Sequence, residues 1–421
     1  MKTKKQDREI IVGLDVGTTK ICVIVARIRD DSNIDIIGIG KAPSEGLSRG
    51  VVVNPQKASA SINRALRNAE SNSGININSV SVGISGHHIR CIQTSTIIGV
   101  TNNDRTIHEE DVERALEQTK LIRLPSDTRI IDVIPQEFII DDREKVYEYP
   151  VGMLGMKLEV KANIVTGLIS SIDDLTKCVT DCDVDLEDIV LEPIASSLAV
   201  LDDTEKKVGV AMIDIGGGTT DVAVFRKGVL KYTAGIGLAG NHVTKDIVEG
   251  LGILEEEAER IKKEYGYALV SEVMNDEIIT VKNIRGQEPK RVKKSVLARI
   301  IQSRMEEIFD LSAIEIKNSQ IANELHAGVV ITGGGSLLKF SKELGEKVLG
   351  MEVNCGKPRG ISGGMVREVE SPIYATGVGL VLHKFRNIEK GGRKFLEKKN
   401  KKSKGDTKKI LKKIKDWFDE L

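Results

Sequence analysis

Two stretches of the chain share one pattern of apolar and polar positions, in which an apolar run ends in an aspartate. They are IVGLDVGTTKICVIVARI at residues 11–28 and VAMIDIGGGTTDVAVF at residues 210–225. In each, a β-branched run is followed by a Gly/Thr turn and by a second run that alternates like a strand. The pattern predicts two β-hairpins with the turn at the tip.

The residue types at the two tips favour phosphate binding. Glycine lets the backbone turn sharply and present N–H groups to an anion, and threonine adds hydroxyl donors. Asp15 and Asp214 end their strands where a hydrated Mg²⁺ is usually held beside phosphates. The predicted phosphate-binding residues are Gly17, Thr18, Thr19, Lys20, Gly216, Gly217, Gly218 and Thr219.

An ordinary glycine-rich turn explains a single motif of this kind as well as a phosphate site does. Here the motif occurs twice, with Asp15 and Asp214 199 residues apart, and each copy begins a similar strand, strand, strand, helix order. The repetition favours a pair of phosphate-binding loops. No Walker-type Gly-x-x-x-x-Gly-Lys-Ser/Thr stretch occurs, so the chain is not a P-loop protein.

A third glycine turn lies at VVITGGGSLL, residues 329–338, where a buried strand runs into Gly333, Gly334 and Gly335. In a duplicated ATPase, adenine and ribose can approach the backbone closely at such a turn. These three motifs, in this order, resemble the actin, sugar kinase and heat-shock chaperone ATPase superfamily. The resemblance implies two ribonuclease H-like lobes with ATP and Mg²⁺ between them.

The same resemblance implies roles for residues outside the three motifs. Gly237, Gly240 and Lys262 would contact nucleotide, and Glu192 would orient water near Asp214 in a slow hydrolysis. Nucleotide binding is a firmer expectation than turnover. Two plainer interpretations stay open: Glu192 as an acid that complements a helix dipole, and Lys262 as a solvated helix lysine.

Composition describes a globular protein with a distinctive tail. The 421 residues are 40% hydrophobic and 29% charged, enough for two or three domains. Five cysteines, with no signal peptide and no long apolar run, predict a cytoplasmic protein with reduced thiols. The net charge is zero, yet residues 388–421 carry 13 Lys/Arg against 6 Asp/Glu. This asymmetry predicts that the tail has a partner of its own.

Residues 85–165 interrupt the first lobe and predict a separate α/β subdomain. Its helix is expected to begin at a Thr106–Glu109 capping box and to run through Leu121. The stretches VGISGHHI, HEEDVERAL, IPQEF and YPVGMLGMKLEV, which begin at residues 82, 108, 134 and 149, resemble the subdomain peculiar to the bacterial cell division family FtsA. That resemblance implies roles in self-association and in contacts with later division proteins.

A basic segment, KRVKKSVLARIIQSRMEEIF at 290–309, predicts a helix with one apolar stripe and one basic face. Such a face is ordinarily just solvated. The resemblance implies that Lys293, Arg299 and Arg304 contact the acidic C-terminal peptide of the tubulin-like protein FtsZ, and a basic groove suits an acidic peptide.

The chain ends in TKKILKKIKDWFDEL at 407–421, whose apolar positions share one helical face between lysines. Such a helix suits an anionic membrane surface, although packing back on the protein or a calmodulin-type target helix would give the same pattern. A helix this short binds weakly alone, so attachment would need several copies in a polymer. The predicted membrane-binding residues are Lys409, Ile410, Leu411, Lys412, Lys413, Ile414, Trp417, Phe418 and Leu421.

The predicted class is α/β: an actin-like two-lobe ATPase fold of duplicated ribonuclease H-like lobes, with an FtsA-type α/β insertion and a C-terminal amphipathic helix. The expected divisions are a first lobe (1–84 and 166–207), the insertion (85–165), a second lobe (208–244 and 326–387), its outer subdomain (245–325), a flexible linker (388–406) and the membrane helix (407–421).

The predicted function is anchoring of FtsZ filaments to the cytoplasmic face of the cell membrane at the septum. Expected partners are FtsZ, further copies of the chain in actin-like filaments, the anionic membrane and downstream division proteins, with no nucleic acid. Two other classes stay open: an actin-like scaffold of the pilus or cell-shape type, and a small-molecule kinase of the same superfamily.

Overall fold

The computed structural model describes residues 10–30, 33–142, 146–147, 149–283 and 288–399. The first lobe begins with strands and one long helix: β1 (Ile10–Val16), β2 (Lys20–Asp30), β3 (Asn33–Pro43), β4 (Leu47–Ser48), β5 (Val51–Val52), α1 (Pro55–Ser73) and β6 (Ser79–Ile84). The insertion follows as β7 (Arg90–Gly99), α2 (Glu109–Thr119), β8 (Thr128–Ile140), β9 (Val146–Tyr147) and β10 (Lys157–Leu168). The first lobe resumes with α3 (Ile169–Thr180), β11 (Asp185–Leu191), α4 (Glu192–Val200) and α5 (Asp203–Val208).

The second lobe begins with β12 (Val210–Ile215), β13 (Thr220–Arg226), β14 (Val229–Ile236) and α6 (Gly240–Leu251). Its outer part contains α7 (Glu255–Tyr265), β15 (Ile278–Val281), β16 (Lys290–Lys293) and α8 (Lys294–Asn318). It continues with β17 (Val329–Thr332), α9 (Ser341–Leu349) and β18 (Val353–Cys355). The last elements return to the first lobe: β19 (Gly363–Gly364), α10 (Val366–Val369) and α11 (Ala375–Lys399).

The two main sheets have the same internal order. The first runs β3-β2-β1-β6-β11, with β19 added beside β3, and the second runs β14-β13-β12-β17-β18. In each sheet the first strand of the hairpin is the pivot. It pairs antiparallel with the second hairpin strand on one side and parallel with a later strand on the other: β1 with β2 and β6, and β12 with β13 and β17. The predicted duplication is therefore confirmed, and the equivalent hairpins are β1–β2 and β12–β13.

The insertion has a sheet and a core of its own. Its four strands run β7-β10-β8-β9, and α2 packs on them over a buried cluster that includes Phe138 and Ile140. The predicted capping box is wrong: α2 begins at Glu109, and Asp111 accepts a hydrogen bond from the His108 N–H at 3.0 Å. The acid three residues after His108 therefore fixes the helix start. The helix ends at Thr119, two residues earlier than predicted.

The insertion also contacts the second lobe directly. The Gln136 side-chain amide donates to the carbonyl of Leu230 at 2.8 Å, and that of Asn163 donates to the carbonyl of Lys231 at 2.6 Å. Both acceptors are backbone groups of β14. The insertion is thus fixed to both lobes rather than to the first alone.

Helices α4 and α11 cross between the lobes in close contact. A Cβ at Gly379 would lie 1.9 Å from the carbonyl oxygen of Ala195, so only glycine permits this crossing. The absent side chain thus lets α11 pack tightly against α4. Helix α11 runs on to Lys399, so the linker predicted from residue 388 is helical in its first part. The predicted membrane helix at 407–421 lies outside the described residues.

In the part of the chain that the structure describes, no helix combines the length and the apolar character needed to span a bilayer.

Candidate functional site

A cleft of about 530 Å³ lies between the lobes, where the tips of the β1–β2 and β12–β13 hairpins face each other. A Cβ at Gly217 would lie 1.8 Å from Thr19 Oγ1, and one at Gly218 would lie 2.4 Å from Thr18 Oγ1. The missing side chains therefore let the two tips touch. This close approach explains why the second tip needs a run of glycines.

Asn241, in the first turn of α6, joins the two tips. Its backbone N–H donates to the carbonyl of Gly217 at 2.8 Å, and its side-chain oxygen accepts from Thr19 Oγ1 at 3.1 Å. The predicted residues that line the cleft are Asp15, Gly17, Thr18, Thr19, Lys20, Glu192, Asp214, Gly216, Gly217, Gly218, Thr219, Gly240, Lys262, Gly333, Gly334 and Gly335. Gly237 does not line it: a Cβ there would face Arg49 and His87 instead.

Four acidic side chains converge at the base of the cleft. Burial raises the pKa of Asp15 to about 6; Lys20 opposes that rise and Asp214 adds to it. Burial likewise raises the pKa of Asp214 to about 6, against a hydrogen bond from Ser196. Burial, followed by repulsion from Asp214, raises the pKa of Asp221 to about 8.

Glu192 completes this acidic group. It is the first residue of α4 and accepts a hydrogen bond from Ser85 Oγ at 2.8 Å. Burial, with Asp15 and Asp221 nearby, raises its pKa well above the usual value. Crowded carboxylates with raised pKa values are disposed to take up positive charge, either as protons or as a cation.

The arrangement suits a hydrated cation better than a directly bound one. Among the described residues, no three His, Cys, Asp or Glu side chains are placed to ligate one ion. Lys20 is turned aside, because its Nζ donates to the carbonyl of Ile373 at 2.8 Å and lies 4.4 Å from the centre of the Tyr374 ring. It still contributes positive potential at Asp15 and Asp214.

The far wall of the cleft is formed by the third glycine turn. Gly333 has φ +78°, and a Cβ there would lie 2.3 Å from Asp214 Oδ1, so this turn closes onto the acidic group. Lys262 is buried rather than solvated: its Nζ lies 2.6 Å from Glu259 Oε2 and donates to Thr244 Oγ1 at 2.8 Å. Although burial opposes it, Lys262 holds the pKa of Glu259 at about 2.

Sequence reasoning missed Asp221, Ser85 and Asn241. A usable signal existed for Asp221, because it pairs with Asp214 across the β12–β13 hairpin, and the two lie equally far from the turn. Ser85 and Asn241 carry no comparable signal, since each reaches the cleft only through the packing of distant segments.

The predicted basic face on α8 is only partly available. Arg304 makes two bonds to Asp246, from Nε at 2.6 Å and from a terminal nitrogen at 2.9 Å, and also contacts Glu307. Lys293 lies 3.5 Å from Asp276. Arg299 is exposed and forms no ion pair within the described residues. Of the three predicted cations, only Arg299 is free to meet a partner without breaking an existing bond.

Comparison with known proteins supplies the family. Residues 211–379 match the family model "Cell division protein FtsA", and residues 86–166 match "SHS2 domain inserted in FTSA". The chain is 36% identical to the cell division protein FtsA of Pseudomonas aeruginosa over 98% of both chains. It is 38% identical to that of Bacillus subtilis, over 92% of this chain and 86% of the relative. It is 32% identical to that of Escherichia coli K12, over 99% of both.

Solved structures agree on the fold. A type IV pilus biogenesis complex, PilM-PilN, aligns with a TM-score of 0.64 at 15% identity, over 90% of this chain and 99% of that one. ADP-bound MreB5 of Spiroplasma citri aligns with a TM-score of 0.55 at 14% identity, over 91% and 98%. At these identities the likeness concerns architecture alone.

Proposed function

The chain belongs to the FtsA family of cell division proteins, and we propose that it is a nucleotide-binding adaptor that tethers FtsZ filaments to the membrane. The family places it in bacterial division. Family membership also argues against the pilus, cell-shape and small-molecule kinase alternatives. None of them explains both the matched insertion and the sequence identity to FtsA over nearly the whole chain.

We propose ATP with Mg²⁺ as the ligand of the cleft. The observation that carries this proposal is the contact between two Gly/Thr tips above a group of acidic side chains with raised pKa values. Backbone N–H groups and hydroxyls of the tips would bind phosphate oxygens. Asp15 and Asp214 would hold the hydration shell of the ion. When bound, Mg²⁺ would neutralise charge on the phosphates.

Glu192 and Asp214 are the proposed catalytic pair if ATP is hydrolysed. Glu192 is held by Ser85, and Asp214 is held by Ser196 Oγ at 2.8 Å. Both side chains are therefore oriented, and either can accept a hydrogen bond from a water. Hydrolysis would proceed by metal-assisted attack of that water and is expected to be slow.

Nucleotide titration tests the cleft. Fluorescent ATP should bind the full chain only when Mg²⁺ is present, and Asp214→Asn should weaken binding at least about tenfold. Asp181→Asn, on an exposed turn that does not line the cleft, is the matched control. Binding that is equally tight in the Asp214 variant would contradict the assignment.

We propose that the α8 side of the outer subdomain binds the acidic C-terminal peptide of FtsZ. Arg299, with Lys293, is the basis for this proposal, since Arg304 is already committed to Asp246. Arg299→Glu should reduce capture of the peptide by more than about tenfold, because a charge reversal replaces attraction by repulsion. Arg67→Glu, which reverses an exposed charge on α1, should leave capture unchanged.

We propose that residues 407–421 attach the protein to the cytoplasmic face of the membrane, with the apolar face buried and the lysines at anionic head groups. The test is co-sedimentation with anionic liposomes in the presence of ATP. The intact chain should pellet with lipid, whereas a chain truncated after Asn400 and a Trp417→Glu variant should stay in solution. Equal behaviour of all three would exclude this tail as the anchor.

A further inference from the structure

A second, smaller cavity of about 80 Å³ lies behind the nucleotide cleft, where the insertion and both lobes meet. Asp132 of β8, Phe225 and Leu230 of the second-lobe sheet, and Arg386 of α11 all line it. Lys206, on the short helix α5, completes the wall. The cavity is separate from the cleft, since no residue lines both.

Lys206 is the unusual feature of this cavity. The residue is only 7% exposed, yet within the described part of the chain its ammonium group has no hydrogen-bond acceptor and no ion pair. Its Nζ makes a cation–π contact with Phe225, whose ring centre lies 5.3 Å away. Little of the Lys206 side chain reaches water, so an ammonium group without a protein acceptor loses part of its hydration on folding and regains little in exchange.

Nearby acids do not satisfy Lys206, because they are engaged elsewhere. Asp202 Oδ1 accepts from the Glu205 N–H at 2.8 Å, and Glu205 Oε2 accepts from the Asp202 N–H at 2.8 Å. These two acids form the capping box of α5, and Glu205 Oε2 also lies 3.6 Å from a terminal nitrogen of Arg359. Asp203 is exposed to solvent.

A second cation strengthens the positive character of the cavity. Arg386 is half-buried and forms no ion pair among the described residues. Burial, and then repulsion from Arg386, lowers the pKa of Lys206 to about 8. The opposing group is Asp132, whose Oδ1 already accepts from the Val133 N–H at 2.8 Å and whose pKa is raised by burial.

Size limits what the cavity can hold. A space that holds one water measures about 10–15 Å³ on the same scale, so about 80 Å³ takes roughly five to eight atoms of that size. A phosphate or a short carboxylate fits this space, and a nucleotide does not. Both are oxyanions that bind arginine and lysine through charge-assisted hydrogen bonds.

We propose that this cavity is a binding site for a small oxyanion, held between Lys206 and Arg386 at the junction of the insertion with both lobes. The oxyanion supplies the acceptors that Lys206 lacks. It also bridges α5 and α11, two elements that otherwise present like charges to each other.

The experiment measures thermal unfolding of the full chain in phosphate, in acetate and in chloride at one ionic strength. Lys206→Met and Arg386→Gln each remove one cation, and Lys207→Met is the matched control, because Lys207 is the exposed neighbour of Lys206. Any binding of phosphate in the nucleotide cleft is common to all variants, so the difference between variants reports the second cavity alone.

The wild-type chain and the Lys207 variant should gain stability in one or both oxyanions, and both cation variants should lose most of that gain. A larger gain in phosphate than in acetate identifies phosphate as the ligand, and the reverse order identifies a carboxylate. Asp132→Asn should enlarge the gain, since it removes the opposing charge. The proposal is overturned if the Lys206 and Arg386 variants respond to both oxyanions as the wild-type chain does.

Discussion

The acidic group at the base of the cleft makes a prediction about stability and pH. The Asp221 carboxyl has an ordinary pKa of 3.8 when the chain is unfolded, and burial, followed by repulsion from Asp214, raises its pKa to about 8 in the fold. Between these values the folded chain holds a proton that the unfolded chain has lost. Stability therefore falls as the pH rises from about 4 to about 8 and is not restored above that.

The asparagine variant removes this cost. The rise of the Asp221 pKa from 3.8 to about 8 corresponds to at most about 6 kcal/mol, and water in the cleft screens part of that energy. We therefore expect Asp221→Asn to stabilise the nucleotide-free chain by about 2 kcal/mol at pH 8.5. For a chain of this size that is a rise in melting temperature of about 4 °C or less. At pH 5 the gain should be much smaller, because Asp221 is then largely protonated in the fold.

Scanning calorimetry at pH 5 and pH 8.5 measures both effects. Asp181→Asn, which changes an exposed carboxylate, is the control and should stay within about 0.5 kcal/mol of the wild-type chain at either pH. The reasoning is refuted if Asp221→Asn is no more stable than the wild-type chain at pH 8.5. A gain of the same size at both pH values would refute it equally.

Three other predictions follow from close contacts. Gly217→Val would place its Cβ 1.8 Å from a threonine hydroxyl of the opposite tip. ATP affinity measured by fluorescence titration should therefore fall at least about tenfold. Gly99→Val, where a side chain meets open space, is the control and should leave the affinity unchanged. Lys262→Met leaves Glu259 with the exposed Lys263 as its remaining cation and should cost about 1 kcal/mol in urea unfolding. The double variant with Glu259→Gln should recover most of that loss, and no recovery would contradict the pairing of Glu259 with Lys262. Gly379→Ala would force a methyl group to 1.9 Å from a backbone oxygen of α4. The midpoint of urea unfolding should therefore drop by the equivalent of about 3 kcal/mol, and an unchanged midpoint would contradict the tight crossing.

The parts of this fold that the sequence predicted are those encoded by neighbouring residues. Alternation and a glycine turn predicted both hairpins, which the structure contains as β1–β2 and β12–β13. Boundaries that depend on competition between nearby caps were less predictable. The start of α2 is an example, because Asp111 displaced the cap expected at Thr106.

Contacts between residues far apart in the chain could not be predicted from the sequence. Arg304 looked like a free cation on a helix face, but its partner Asp246 is 58 residues away on α6. The superfamily resemblance implied that Gly237 contacts nucleotide. A Cβ there would instead face Arg49 and His87, and the cleft lining resumes only at Gly240. In both cases the local pattern is satisfied, and only the packing of separate elements decides the outcome.

Lys262 and Lys206, both buried, show the same limit most clearly. Each has an acidic residue three positions before it, Glu259 before Lys262 and Asp203 before Lys206, a spacing that normally pairs charges on a helix. Glu259 pairs with Lys262 at 2.6 Å because both side chains lie against the cleft wall. Asp203 instead faces solvent at the start of a six-residue helix, while Lys206 turns inward over Phe225. Identical spacing therefore gives an ion-paired lysine at one site and a lysine without an acid partner at the other, which is why the smaller cavity is where a ligand should be sought.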